Sequence, residues 1–444
     1  MTSDLLVEAL QALDAPQGRY AVLERYAHGE QELAWISPES RQALGNRMSR
    51  LASNIPALQI NSIVERLRLT SFSDSRAWDL FTSTDLDQLA AQAMADALLY
   101  RTGFVLVWSK DGNPVATVES PRQCQVLRDP ADRSVTVGVK RYRTKTQTHA
   151  YLYLPDRVEH HVANTPGAAT AGFDLVETVE NPLGVVPLVP IDNEHSEIRD
   201  LLPLCDALNK LLVDMMTASE AAGRPRRWIS GLELAERPRV DLAGNPVLDG
   251  DGEQIVDLVS PIDDVDTVKV AIAEDPETKF GTWPATDLTG FREGVQVIVS
   301  QISAVSSLPA HYLSPLTAAQ VPSADGLRAA EASLTARAES KQQRFGRAWE
   351  MVGRLLIAVD TSSDPADIAL RVQWANAATR SVAQDADAAV KLYQSGLLSR
   401  RATLARLGLT EDEISAELTA INQDAAMARD ITIGRFMAGQ TDPA

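Results

Sequence analysis

A chain of 444 residues with 60 acidic and 42 basic side chains has a formal charge of −18, which excludes a surface built throughout to neutralise phosphates. Its 45% hydrophobic and 23% charged residues are too apolar a mixture for a disordered chain, and at ~100–200 residues per domain the length predicts roughly two to four compact units. Cys124 and Cys205 are the only thiols and lie far apart, outside any CxxC pair, so a disulfide framework and a thiolate zinc site are excluded.

Leu5, Leu6, Ala9, Leu10 and Leu13 form an apolar stripe at helical spacing, as do Leu89, Ala90, Met94, Leu98 and Leu99. Thr84, with Asp87 three residues on, is expected to open the second helix and Gly103 to close it, leaving a looser stretch between the two. Asp4 and Glu8 stand where a signal peptide would be basic and then apolar, so no export signal is expected and folding in a reducing cytoplasm is. From Phe104 to about Val179 the period changes to two. FVLVWS, a turn at Asp111 and Gly112, ATVES, QCQVLRD, SVTVGVKRYR, THAYLYL and RVEHHV predict an antiparallel meander within one α+β domain over residues 1–195. Pro182, Pro187 and Pro190 in NPLGVVPLVPIDN then predict an extended, stiff connector.

A helix is expected from Glu197 to about Ala222, its stripe made by Ile198, Leu201, Leu202, Cys205, Leu208, Leu212, Met215 and Met216, with Asp206 and Lys210 as a supporting pair and Gly223 as its stop. Residues 229–286 are set apart by charge. They carry thirteen acids against four bases, half of the net negative charge in one short module of strands and turns. Thr286 or Thr289 starts the next helix, with Phe291, Val295, Ile298, Ile302 and Val305 on one face and Pro309 as its end. After a mixed loop, Ala324 to about Val359 predicts a helix some 50 Å long at about 1.5 Å per residue. Its ends are striped (Leu327, Ala330, Leu334; Phe345, Trp349, Val352, Leu356), yet its middle, TARAESKQQR, is polar on every side. Such a girdle is expected either to face solvent or to find polar partners on another chain. ALRVQW reads as a strand, and a helical tail from Ala383 to about Phe436 is broken at Gly396 and at LGLTEDE. The longest apolar runs, such as Phe104–Trp108 and Leu355–Val359, fall far short of the roughly 18 residues of a membrane span.

Catalytic signatures are missing: GxxxxGK[ST], HExxH, GxSxG and the EF-hand pattern do not occur. DGDGE at 249–253 lacks the further spaced acids of a calcium loop and reads as a hairpin turn. His160 and His161 adjoin on a strand and so point to opposite faces, a poor arrangement for one metal ion. Lys140, Arg141, Tyr142, Arg143 and Lys145 form the best basic, aromatic-interleaved run and are candidates for phosphate contact, although a solvated strand face is the stronger reading. Arg224, Arg226 and Arg227 beside Trp228 follow a helix C-terminus, where they can cap the dipole or meet a partner. The loop from Ala310 to Ser323, with His311, Tyr312 and Leu313, reads as functional rather than as a plain connector.

The order of these parts, together with NPLGVVPLVPIDN, ISAVSSLPAHYLSP, PSADGLRAAEASLTARAESKQQRFGRAWEMVGRLL and YQSGLLSRRATLARLGLTEDEI, resembles the portal proteins of long-tailed bacteriophages, the head-to-tail connectors of the capsid. The likeness spans most of residues 85–420. It implies an α+β, mainly helical, portal-type fold that closes into a ring of about twelve copies around a channel for double-stranded DNA. It further implies a wing at 1–195, stem helices at 196–222 and 287–308, an acidic clip at 223–286, a tunnel loop at 309–325, a long wing helix and strand at 326–382 and a crown at 383–444. His311, Tyr312, Leu313, Ser314 and Gln320 would then belong to the tunnel loop. Arg224, Arg226, Arg227, Asp249, Asp251, Asp263 and Asp264 would lie in the docking surface of the clip. The implied partners are further copies of the chain, terminase, a head-tail adaptor, and the major capsid and scaffolding proteins; no cofactor, catalysis or membrane is implied, and the place of action is the virion. The alternative is a minor capsid or scaffolding-type structural protein without a channel. A metal-assisted nuclease using the acids between Asp249 and Asp266 ranks last.

Overall fold

A computed structural model of the chain describes residues 2–33, 52–223, 227–230, 235–240, 246–248, 250, 252–259, 277, 279–282, 288–313, 323–378 and 382–439. The first stripe forms α1 (Thr2–Asp14), which buries Leu6, Ala9, Leu10 and Leu13. It is followed by α2 (Gln17–His28) and α3 (Ile55–Val64). The stretch expected to be loose also holds β1 (Leu69–Phe72) and α4 (Ser75–Ser83), which Asp74 caps by accepting the Arg76 N–H at 2.9 Å. Thr84 closes α4 instead of opening the next helix, because its hydroxyl donates to the Leu80 carbonyl at 2.9 Å. The second stripe is α5 (Leu86–Tyr100), which begins after Asp85 and ends at Arg101, both at positive φ.

Gly103 lies beyond that end, in β2 (Thr102–Lys110). It is needed for contact rather than for termination: a Cβ there would collide with the carbonyl oxygen of Ala93 in α5. The expected meander follows as β3 (Asn113–Glu119), β4 (Cys124–Arg128), β5 (Val135–Arg143), β6 (Thr148–Tyr153), β7 (Arg157–Ala163) and β8 (Phe173–Glu180). The proline-rich segment is not simply a connector, since it supplies β9 (Leu188–Asp192), antiparallel to β2 with Pro190 opposite Phe104. The strands divide into two antiparallel sheets, ordered β3-β2-β9 and β4-β5-β6-β7-β8. Being at an edge is what lets β9 carry proline. Phe104, Cys124, Tyr153, Val158, Val186 and Leu188 pack together between them, while α1 packs on Val137, Val139, Ala150 and Leu152.

A 3-10 turn at Arg199–Leu201 leads into α6 (Leu202–Gly223), so the helix opens five residues later than the stripe suggested. Asp206 accepts a hydrogen bond from the Tyr26 hydroxyl at 2.7 Å. Residues 211–294 make a compact unit of their own. In it β10 (Arg227–Ser230), β11 (Ala235–Pro238), β12 (Val256–Val259) and β13 (Lys279–Thr282) form two antiparallel pairs, β10 with β13 and β11 with β12. An antiparallel bridge between Leu248 and Gln254, with Gly252 at φ 86°, fits the hairpin turn read from DGDGE.

The other unit, residues 1–210 with 295–444, contains the end of α7 (Thr289–Ser306) and then α8 (Ala324–Thr361), which at about 1.5 Å per residue is roughly 57 Å long. Phe345, Trp349, Val352 and Leu356 of α8 enter the main core, where Phe81 meets Trp349 edge-on at 5.8 Å and stacks on Trp78 at 5.4 Å. The expected strand near ALRVQW is β14 (Val372–Trp374), antiparallel to β1. The tail follows as α9 (Val382–Gln394), α10 (Arg400–Arg406) and α11 (Glu411–Gly439), with Gly396 and Gly408 at positive φ in the two breaks.

Candidate functional site

A buried polar cluster lies where the end of α7 and the start of the following loop meet the middle of α8. The stripe on α8 runs Leu334, Ala338, Lys341, Phe345, Trp349, so a lysine occupies one place in a row of buried apolar residues. A buried ammonium needs a carboxylate, and Glu197 supplies it. Its side chain is fully shielded from water and receives Lys341 Nζ at 2.6 Å, Arg337 Nε at 2.8 Å and Asn193 Nδ2 at 2.9 Å. Lys341 also donates to Asn193 Oδ1 at 2.7 Å. Burial alone would push the Glu197 carboxyl up, but Arg337, Asn193 and Lys341 together outweigh it and hold the group below its ordinary value.

Arg337 does a second job. Its Nη1 donates to the Ser306 carbonyl at 2.8 Å, which Gln59 Nε2 also reaches at 3.0 Å, so the last turn of α7 is capped by side chains from α8 and α3. Ser306 Oγ in turn donates to the Ile302 carbonyl at 2.6 Å and accepts the Leu308 N–H at 3.1 Å, and Ser307 takes a positive φ of 62°. The helix stops at a corner in which the Ser306 carbonyl, hydroxyl and neighbouring Leu308 N–H are all hydrogen-bonded. Nearly two turns before Arg337 on α8, Glu331 accepts from Arg66 Nη2 at 3.1 Å and lies 3.4 Å from His311 Nε2. Arg66 Nη2 also donates to the Tyr312 hydroxyl at 3.2 Å. Gln342 Nε2 bridges the carbonyls of Arg66 and Ala375 at 2.9 and 3.1 Å.

These contacts correct the expectation for the buried part of the polar girdle of the long helix, while Glu339, Ser340, Gln343 and Arg344 are exposed, as the solvent-facing alternative had it. Its members Arg337, Lys341 and Gln342 are matched by Glu197, Asn193, Ser306, Arg66 and Ala375 of the same chain, so no second chain is required to satisfy them. Sequence reasoning missed Glu197, Arg66 and Glu331 as partners. The legible signal was Lys341 falling on the apolar stripe.

The other candidate residues are distributed as follows. His311, Tyr312 and Leu313 form a single helical turn, Ala310–Leu313, with His311 and Tyr312 turned toward Glu331 and Arg66. Ser314 and Gln320 lie outside the described residues, as do Arg224, Arg226, Asp249, Asp251, Asp263 and Asp264. Arg227 opens β10, its backbone opposite Thr282. The basic run on β5 is split by strand alternation: Lys140 pairs with Glu119 at 2.6 Å on one face, whereas Arg141 is held on the other by Asp14 and donates to the Ala169 carbonyl at 2.8 Å. Arg143, on the side of Arg141, is exposed. His160 and His161 diverge as expected, His160 stacking on Tyr151 at 4.3 Å and His161 reaching Glu159 at 3.1 Å. Among the described residues no three or more His, Cys, Asp or Glu side chains converge for a metal, and no helix is long and apolar enough to cross a membrane.

Residues 46–430 match the family described as phage portal protein, SPP1 Gp6-like. The chain belongs to that portal family. The matched range contains every member of the corner, from Gln59 and Arg66 through Glu197 to Gln342, and leaves out α1 and α2. The portal protein of Mycobacterium phage L5 is 28% identical over 385 residues, covering 79% of this chain and 74% of that protein. The portal protein of Mycobacterium phage D29 is 28% identical over 375 residues, covering 77% and 72%. Among solved structures, a chain from the neck of a native gene transfer agent particle computed with C12 symmetry aligns at a TM-score of 0.46, 13% identical, over 87% of this chain and 98% of that one.

Proposed function

We propose that this chain is the subunit of a portal ring at one capsid vertex. About twelve copies surround a channel through which double-stranded DNA is packaged, retained and ejected, with terminase docking first and head-tail adaptor proteins afterwards. The observation that carries the reading is the family match across residues 46–430. The geometry supports it: a subunit that transmits load while DNA passes needs its helices joined rigidly, and Glu197, Arg337 and Ser306 join α7 to α8 through buried, charge-assisted bonds. The wing is then residues 1–195, the stem 196–222 with 287–308, the clip 223–286, the tunnel loop 309–325, the long wing helix and strand 326–382, and the crown 383–444. The ring works in the virion after assembly in the host cytoplasm, contacts major capsid and scaffolding proteins, and carries out no chemistry of its own.

Charge supports the same reading. A subunit of charge −18 repels a duplex, whereas each phosphate held by a cation would oppose sliding. His311 and Tyr312, tied to Glu331 and Arg66, act as the root of the tunnel loop, and the segment after Leu313 is the part that meets DNA. Mass photometry and particle imaging of the purified chain test the ring: twelve copies of 48.2 kDa give about 578 kDa. A folded chain that stays monomeric or dimeric at every concentration refutes it. Deleting 314–321 while keeping Ala310–Leu313 should leave rings intact and abolish packaging or retention of DNA; normal packaging by that deletion removes the loop assignment.

A further inference from the structure

β8 is the outer strand of the five-stranded sheet, so one side of its backbone has no neighbouring strand. Seven of its eight residues are exposed. Leu175, Val176 and Val179 are 53%, 63% and 44% exposed. Three large aliphatic residues on one open edge are an association hazard that proteins blunt or cover. Asp174, Glu177 and Glu180 alternate with them, and none of the three has an ion-pair partner among the described residues.

A complementary feature lies on the same domain. A cleft of about 260 Å³ is lined by Asp14, Arg122, Arg141, Arg143, Thr148 and Gly167, among others. Two of its guanidinium groups are already matched, Arg122 by Glu24 and Arg141 by Asp14. Arg143 has no ion-pair partner among the described residues. Thr148 is buried and fixes the wall, donating to the Thr165 carbonyl at 2.7 Å and accepting the N–H groups of Gly167 and Ala168 at 2.8 and 3.0 Å. Arg122 lies two residues before β4, the strand at the opposite edge of the sheet from β8.

We propose that the β8 edge of one copy docks against the arginine-lined cleft of the next, with Asp174 and Glu177 meeting Arg143 and the aliphatic residues of β8 covered by the contact. Edge and cleft are different surfaces, so the contact is head-to-tail and repeats around a closed ring. The charges favour a second copy over DNA. A single unmatched arginine beside Asp14 suits a carboxylate, whereas a duplex needs a run of cations and meets a chain of charge −18. The aliphatic residues of β8 also offer nothing to a phosphate backbone. This inference rests on the ring reading above and names one of its interfaces.

The test uses the full chain in mass photometry over a concentration series, with circular dichroism to confirm folding. Asp174→Arg/Glu177→Arg and, separately, Arg143→Glu should each raise the concentration needed for rings by at least about tenfold, and the triple variant should recover most of the loss. Should the double arginine variant misfold, Asp174→Asn/Glu177→Gln is measured in its place, and a weaker shift in the same direction is expected. Rings that form at the wild-type concentration in every single-side variant overturn the interface while leaving the ring intact. A wild-type chain that never forms rings overturns the ring reading and this inference with it. If Arg143→Glu leaves the rings unchanged but loses duplex retention in a gel-shift assay, the cleft belongs to DNA and the proposal fails.

Discussion

Replacing Glu197 by glutamine removes one charge, keeps the shape, and leaves Lys341 and Arg337 facing a neutral group. The carboxylate is fully buried, holds three contacts of 2.6 to 2.9 Å, and has Lys341 at 11% and Arg337 at 24% side-chain exposure. Taking one partner from such a pair costs roughly 3–5 kcal/mol. The lower end applies, about 3 kcal/mol, because Arg337 keeps its bond to the Ser306 carbonyl and some contact with water. Against a total stability of about 5–15 kcal/mol this is a large fraction, readable as a lowered urea midpoint at unchanged slope. The pH dependence adds a second check. Because the Glu197 carboxyl is held below its ordinary value of 4.5, its contribution is complete above that value and is lost as pH falls through the lower folded value. Glu197→Gln should therefore lose stability near neutral pH and show a shallower acid limb than the wild type. A loss under about 1 kcal/mol, with the acid limb unchanged, would refute the claim that this group holds the helix corner together.

Asp96 titrates the other way: burial first, and then the nearby Glu24, push its carboxyl from 3.8 up to about 7. The folded form thus favours the protonated acid, and stability should fall as pH climbs from about 4 to 7, by at most roughly 4 kcal/mol at 1.36 kcal/mol per unit. Asp96→Asn should flatten that fall; urea midpoints at pH 5 and 8.5 that drop equally in both proteins would contradict it. Gly103→Ala drives a Cβ into the Ala93 carbonyl and should cost about 1–3 kcal/mol as β2 and α5 are forced apart. A thermal midpoint within error of the wild type would show that the two elements yield freely.

Periodicity made much of this architecture legible. The stripes of α1, α5 and α8, the two-residue alternation of β2 to β7 and the glycine breaks in the tail are local patterns, and each records which face of an element is apolar. Local pattern failed where the deciding partner was distant in sequence. Thr84 and Gly103 resembled helix signals, yet one answers to Leu80 and the other to the carbonyl of Ala93. The short β1 was hidden because its pairing partner, β14, comes some 300 residues later, and β9 because its proline, Pro190, is tolerable only at a sheet edge.

The candidate site divides along the same line. The sequence by itself determined that the middle of the long helix, with Lys341 in it, would be polar on every side, and that His311 and Tyr312 would follow the break at Pro309. Only the tertiary structure decided that Glu197 meets that lysine, that Arg337 caps α7, and that Arg66 and Glu331 hold the loop root. The physical reason is that burial sets a demand which composition can announce, namely that a buried charge must be matched. Which residue answers that demand depends on elements over a hundred positions apart being folded against one another.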